Sequence, residues 1–262
     1  MSRAITSLTN PTVKAVRALH MRKAREETGL FLAEGLKICT EAVELGRTPK
    51  VLMFGSEAAC HPVLERIAAE TTFRGGEVIE VNREVLEKVS RRDNPQTVVA
   101  VFEQVFAPID SLNGGKADCW VALQAVRDPG NLGTIIRTAD SAGCGGVLLV
   151  GDCCDPYSVE AVRATMGSIF AVPLYQLSVE GFLNWRKLWP GSVVGTLLSA
   201  TTDYRDADYK RPTMILMGNE QQGLPEELAA ACDVAVKIPM RGRADSLNLS
   251  VATGIMVYAA TG

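Results

Sequence analysis

The sequence predicts an α/β protein in two parts, a small α/β unit followed by a larger one built on a parallel sheet. Three observations carry this. In the second half, apolar runs of strand length alternate with helical segments, the pattern of strands buried on both faces and joined by crossover helices. In the first half the alternation is present in shorter pieces. Between them residues 108–116, with Asn113-Gly114-Gly115, form a turn-rich bridge. Domains are therefore expected at residues 1–105 and 118–262, with a linker over 106–117.

In order along the chain, Asn10-Pro11-Thr12 opens a helix that runs to about Arg25, with Val13, Val16 and Leu19 on one apolar stripe. A strand over 30–33 leads to a helix over 36–45. Runs at 51–54, 78–81 and 97–102 read as strands, with helices at 62–69 and around 85–89. Past the bridge, strands are expected at 120–126, 146–150, 193–198, 213–217 and 234–238. Helices at 132–142, 179–188, 225–231 and 247–260 separate them. Gly143-Cys144-Gly145-Gly146 follows a helix and precedes a strand, so it reads as a helix stop. A dinucleotide fingerprint needs strand, glycines and helix in that order.

Composition narrows the class. Hydrophobic residues make up 47% and charged residues 22%, as expected for a globular protein with a real core. No apolar run reaches the roughly 18 residues of a membrane span, and the first residues lack the apolar stretch of a secretion signal. Cytoplasm is the expected compartment. The 7 cysteines include no C-x-x-C pair and read as reduced structural thiols. No metal is expected, because His20 and His61, the only histidines, lie far from any cysteine cluster. The net charge of −3 hides an uneven distribution: Arg3, Lys14, Arg17, Arg22, Lys23 and Arg25 crowd into the first 25 residues, without an acid. Such a segment can contact RNA phosphates; a solvated helix face accounts for it equally well.

With no histidine after His61, the second unit holds no Ser-His-Asp or Cys-His site of its own, and no phosphate-binding P-loop is present. Three segments stand out instead. In Arg127-Asp128-Pro129-Gly130-Asn131 a turn precedes a helix that Asn131 is a candidate to cap, and Arg137 follows nearly two turns later. In Gly218-Asn219-Glu220-Gln221-Gln222-Gly223-Leu224-Pro225 a strand enters a glycine turn, where Gly218 would let a ligand approach the backbone. The third, Ile238-Pro239-Met240, continues through a polar loop to Ser246-Leu247-Asn248-Leu249-Ser250, where Ser246 is a candidate helix cap. Taken singly, each feature has an ordinary structural explanation.

Together and in this order, the three segments closely resemble the motifs of the SpoU (TrmH-like) family of RNA 2′-O-ribose methyltransferases, within the SPOUT superfamily. The resemblance spans roughly residues 119–260. More loosely, residues 1–105, with Phe31-Leu32-Ala33-Glu34-Gly35 before a helix, are similar to the family's substrate-binding domain, a small ribosomal-protein fold that binds bent RNA.

The resemblance implies a trefoil knot in the second domain, S-adenosylmethionine as cofactor, and transfer of its methyl group to a ribose 2′-hydroxyl of structured RNA. It implies a cofactor pocket of Leu197, Leu198, Gly218, Ile238 and Leu247. It also implies a catalytic set of Arg137 with Asn131, Glu220, Ser246 and Asn248. For the basic segment it leaves RNA contact by Lys14, Arg17, Arg22, Lys23 and Arg25. A homodimer is implied, with Arg137 reaching the partner's cofactor. A separate N-terminal domain favours 23S ribosomal RNA over tRNA. The alternatives are a tRNA 2′-O-methyltransferase and a non-catalytic RNA-binding ribosome-assembly factor on the same fold. Binding of S-adenosylmethionine separates the last from the enzymes.

Overall fold

The computed structural model describes residues 3–115 and 117–262; Met1, Ser2 and Lys116, the expected end of the bridge, lie outside the described residues. The chain divides into two compact units. One runs to Gln104 and takes in Tyr157–Phe170; the other comprises Val105–Pro156 and Ala171–Gly262.

The first unit begins with β1 (Arg3–Ile5), α1 (Pro11–Ala18), α2 (Arg22–Thr28), β2 (Leu30–Glu34) and α3 (Leu36–Glu44). There follow β3 (Val51–Gly55), α4 (Pro62–Phe73), β4 (Glu77–Val81), α5 (Arg83–Ser90) and β5 (Val98–Glu103). The strands form one sheet in the order β1-β4-β3-β5-β2. Here β1, β4 and β3 are parallel, and β5 runs antiparallel to β3 and β2. Val13 and Val16 of α1 and Val85, Leu86 and Val89 of α5 bury one core with Leu32, Met53, Ile79 and Val99 of the sheet.

The single helix expected from Asn10 to Arg25 is two helices. Asn10 caps α1, its Oδ1 accepting from the Thr12 amide at 2.9 Å. The chain then turns at Leu19, whose side chain is buried, and α2 starts after Met21. Arg25 donates to the Leu19 carbonyl at 2.8 Å, occupying an acceptor that the break leaves free.

The second unit opens with β6 (Cys119–Gln124), α6 (Pro129–Ser141) and β7 (Val147–Val150). Next comes α7 (Val159–Thr165), which belongs to the first unit. Then follow β8 (Leu174–Leu177), α8 (Val179–Trp185), β9 (Val193–Thr196), β10 (Thr202–Asp203), β11 (Thr213–Met217), α9 (Glu226–Ala230), β12 (Val234–Lys237) and α10 (Leu249–Thr261). The sheet order is β10-β12-β9-β11-β6-β7-β8, and every neighbouring pair is parallel, as the buried apolar runs predict. β7 and β11 are buried along their whole length. α6 stops at Gly143, whose φ of 68° suits glycine and whose amide donates to the Asp140 carbonyl at 3.0 Å. α10 packs on α6 and on β6 and β11.

One segment departs from the expected boundary. Tyr157–Phe170, read as part of the second domain, packs with the first unit. The Tyr157 and Phe170 rings lie 4.8 and 5.8 Å from Phe31, and Phe170 meets Phe102 edge-on at 4.7 Å. Arg163 of α7 forms an ion pair with Glu34 at 2.7 Å.

Candidate active site

In a parallel sheet the strands all end on one edge, and the loops leaving that edge make the natural ligand site. Four neighbours, β12, β9, β11 and β6, end there. Loops from β9, β11 and β12 line one cleft. It brings together all five residues expected to hold a cofactor, Leu197, Leu198, Gly218, Ile238 and Leu247, with Glu220 and Ser246 of the expected catalytic set. Met217, Asn219 and Met240 also line it.

The loop after β11 closes on itself. The Asn219 amide donates to the Gly223 carbonyl at 3.1 Å, and the Gly223 amide returns to the Asn219 carbonyl at 2.9 Å. Asn219 Oδ1 accepts from the Gln221 and Gln222 amides at 2.9 and 3.3 Å. Its Nδ2 donates to the Ala125 carbonyl at 2.8 Å, tying the loop to the chain leaving β6. A β-carbon at Gly218 would overlap the backbone of Gly223 and Leu224, so glycine there serves loop closure first.

At the cleft's edge three distant segments meet through side chains. Asn131 Nδ2 donates to Glu220 Oε1 at 3.4 Å, and Asn248 Nδ2 donates to Asn131 Oδ1 at 2.9 Å. The helix caps are not the expected ones. Asp128, not Asn131, caps α6, its Oδ1 accepting from the Asn131 amide at 2.6 Å. Asn248, not Ser246, caps α10, its Oδ1 accepting from the Ser250 and Val251 amides at 2.9 and 3.3 Å. Ser246 instead donates to Asp245 at 3.2 Å.

Burial, with Cys153, Glu220 and Asp128 beside it, pushes the Cys154 thiol up to about 12, so it is no thiolate nucleophile at neutral pH. Arg137 stands apart from the cleft: it lies on the exposed face of α6, is not among the cleft-lining residues, and its guanidinium has no hydrogen bond or ion pair among the described residues.

The expected RNA-contact residues are only partly available. Lys14 and Arg17 are exposed on α1, and Arg22 and Lys23 are exposed on α2, where they also meet Glu26 and Glu27 at 2.7 and 3.8 Å. Arg25 is buried on the Leu19 carbonyl and leaves the surface set. Sequence reading saw an acid-free stretch and missed the acids one helical turn beyond it. It also passed over Asp128, although Asp-Pro is a recognised helix start, and the anchoring role of Asn219.

A family model described as the SpoU rRNA Methylase family matches residues 118–258, more than half the chain. The chain belongs to this family. A second model, the MRM3-like substrate binding domain, matches residues 10–100. The crystal structure of an AdoMet-bound rRNA methyltransferase from Sinorhizobium meliloti superposes with a TM-score of 0.93 at 50% identity, covering 99% of this chain and 97% of that one. The 23S rRNA (guanosine(2553)-2′-O)-methyltransferase RlmP of Bacillus subtilis is 30% identical over 97% of both chains. The 23S rRNA (uridine(2479)-2′-O)-methyltransferase of Streptomyces viridochromogenes is 31% identical, over 91% of this chain and 85% of its own. The α/β architecture is thus that of SpoU enzymes, with the parallel sheet in the matched region. No helix among the described residues is long and apolar enough to cross a membrane.

Proposed function

We propose that this chain transfers a methyl group from S-adenosylmethionine to a ribose 2′-hydroxyl of ribosomal RNA, in the cytoplasm. The observation that carries the reading is that the second and third SpoU segments line one cleft and the first is tied to its edge by the Asn248–Asn131–Glu220 chain of hydrogen bonds. The 23S rRNA 2′-O-methyltransferase relatives and the AdoMet-bound rRNA methyltransferase structure support both substrate and cofactor.

The cleft fits the cofactor chemically. Leu197, Leu198, Ile238 and Leu247 offer apolar surface to an adenine, and backbone groups at Gly218 and Ile238 are candidates to hydrogen-bond it. S-adenosylmethionine, when bound, supplies an electrophilic methyl on a sulfonium, which an alcohol can attack without a Lewis acid; no metal enters the proposed transfer. What the protein contributes is position, because holding the hydroxyl about 3–3.5 Å from its target removes much of the entropic barrier. Glu220, Asn131 and Asn248 order the loops. Ser246, at the cleft wall, belongs to the same ordering group. Arg137 clamps the hydroxyl and a neighbouring phosphate, a bidentate task suited to a guanidinium that stays charged; as the ribose oxygen takes the methyl, its proton passes to that RNA phosphate and the sulfur would leave as the neutral thioether of S-adenosylhomocysteine.

Because Arg137 lies off the cleft of its own subunit, the proposal includes a homodimer in which it serves the partner's cleft. The trefoil knot is part of the same proposal and rests on the family likeness of residues 118–258. Arg137→Ala is expected to abolish tritium transfer from labelled cofactor to ribosomal RNA while calorimetric titration shows near-normal cofactor binding. Intact activity would remove Arg137 from the mechanism.

A further inference from the structure

Among its described lining residues the cleft of the second unit has one cation, Lys237, and one acid, Glu220. Lys237 is the last residue of β12, directly before Ile238, and is half-buried. The strand register sets it opposite Asp203 of β10. That acid is already engaged, its Oδ1 accepting from the Arg205 amide at 3.0 Å and from Arg205 Nε at 2.9 Å. Glu220 accepts from Asn131. The Lys237 ammonium has no hydrogen bond or ion pair among the described residues. Lysine is rarely drawn out of water unless an anion meets it, because the charged head loses hydration that apolar surroundings do not restore.

The other polar side chains of the lining have their donors in use. Thr196 Oγ1 donates to the Met217 sulfur at 3.4 Å, Ser246 Oγ to Asp245 at 3.2 Å, and Asn219 Nδ2 to the Ala125 carbonyl at 2.8 Å. An anionic ligand group entering this cleft therefore meets one side chain whose donors are all unused. Two anions come into question, an RNA phosphate and the carboxylate at the methionine end of the cofactor. A phosphodiester backbone is better served by Arg241 and Arg243, which are exposed on the polar loop and carry no ion pair among the described residues. Lys237 instead lies in the wall with Leu197, Ile238 and Leu247, and its compact ammonium suits a single carboxylate.

We propose that Lys237 anchors the cofactor by its carboxylate, its ammonium pairing with the α-carboxylate of the methionine end. The inference rests on the reading of the chain as an S-adenosylmethionine-dependent enzyme. It adds one charged contact to a pocket whose other expected contacts are apolar or made by backbone. The carboxylate is unchanged by methyl transfer, so this contact is equally strong before and during the reaction. It lowers KM for the cofactor and leaves kcat alone.

The test uses the full chain and calorimetry with two ligands, S-adenosylmethionine and its decarboxylated analogue, which keeps the adenosine, sulfonium and ammonium. The parent chain should prefer S-adenosylmethionine at least tenfold. Lys237→Met keeps the aliphatic stem and removes the charge. It should weaken S-adenosylmethionine at least tenfold without weakening the analogue, so that the preference disappears. Lys237→Arg should restore affinity to within threefold of the parent. With deproteinised 23S ribosomal RNA, Lys237→Met should raise KM for the cofactor at least tenfold while kcat stays within threefold. Equal weakening of both ligands would show that Lys237 acts through its stem or through folding, and would overturn the anchor while leaving the enzyme reading standing. An undiminished preference in Lys237→Met would do the same, and a loss of RNA filter retention alongside it would assign Lys237 to a phosphate. A parent chain that retains RNA but binds neither ligand would overturn the enzyme reading, and the anchor with it.

Discussion

Asn219 uses its whole amide: two loop N–H groups donate to its oxygen, and its nitrogen reaches across to Ala125, which itself sits at a φ of 47°. Replacing it with alanine removes three hydrogen bonds at a partly buried position, where each is worth about 0.5–1.5 kcal/mol. Asn219→Ala should lower the thermal unfolding midpoint by several degrees and weaken S-adenosylmethionine binding at least fivefold in calorimetry; an unchanged midpoint with unchanged affinity would mean that the glycines alone hold the loop. At this scale the sequence was informative about which residues gather and poor on what each does. Asp128 and Asn131 are both cap-type residues in one turn, and only the fold decides which side chain bends back to the helix and which crosses to Glu220 and Asn248. Arg25 reads as surface charge because its acceptor, the Leu19 carbonyl, is created by a helix break that the apolar stripe conceals.

Among elements, the strands that carry the site were the easiest to read. β7 and β11 are short apolar runs buried along their length, and nothing competes with that signal. β10 is two half-buried residues, and β8 buries only its first two, so neither alternates long enough to register. α7 spans seven residues, too few for a helical period to repeat. Its place is set by Tyr157, Phe170 and the Arg163–Glu34 pair, all long-range in sequence and therefore invisible to local pattern. Truncating Arg163 would strand the Glu34 charge in a nearly closed site, at a cost of about 3–5 kcal/mol. Arg163→Ala is accordingly expected to lower stability by that amount in urea denaturation, whereas the double variant Glu34→Gln, Arg163→Met should lose much less. Equal losses would show that the pair contributes through packing and not through charge.

For the molecule as a whole, α10 divides its apolar residues between the interior and the surface. Met256 and Val257 are buried within the subunit, but Val251 and Tyr258 are 51% and 57% exposed. Those two belong to the helix that packs on α6, the element bearing Arg137, which is where the proposed homodimer would form. Sedimentation velocity at micromolar concentration should find a dimer in the parent chain and a folded monomer after Val251→Asp with Tyr258→Asp, with methyl transfer falling at least 100-fold. A variant that is monomeric and fully active would exclude a shared active site. The out-and-back path of residues 157–170 bears on how the protein is made. During synthesis Phe31 and Phe102 leave the ribosome without the rings of Tyr157 and Phe170 that complete their cluster. At translation speeds of about 5–20 residues per second, the first unit waits several seconds, half-finished and sticky, for its own last piece. Early domains usually fold as they emerge; the aromatic cluster of this one closes only once Phe170 has been made.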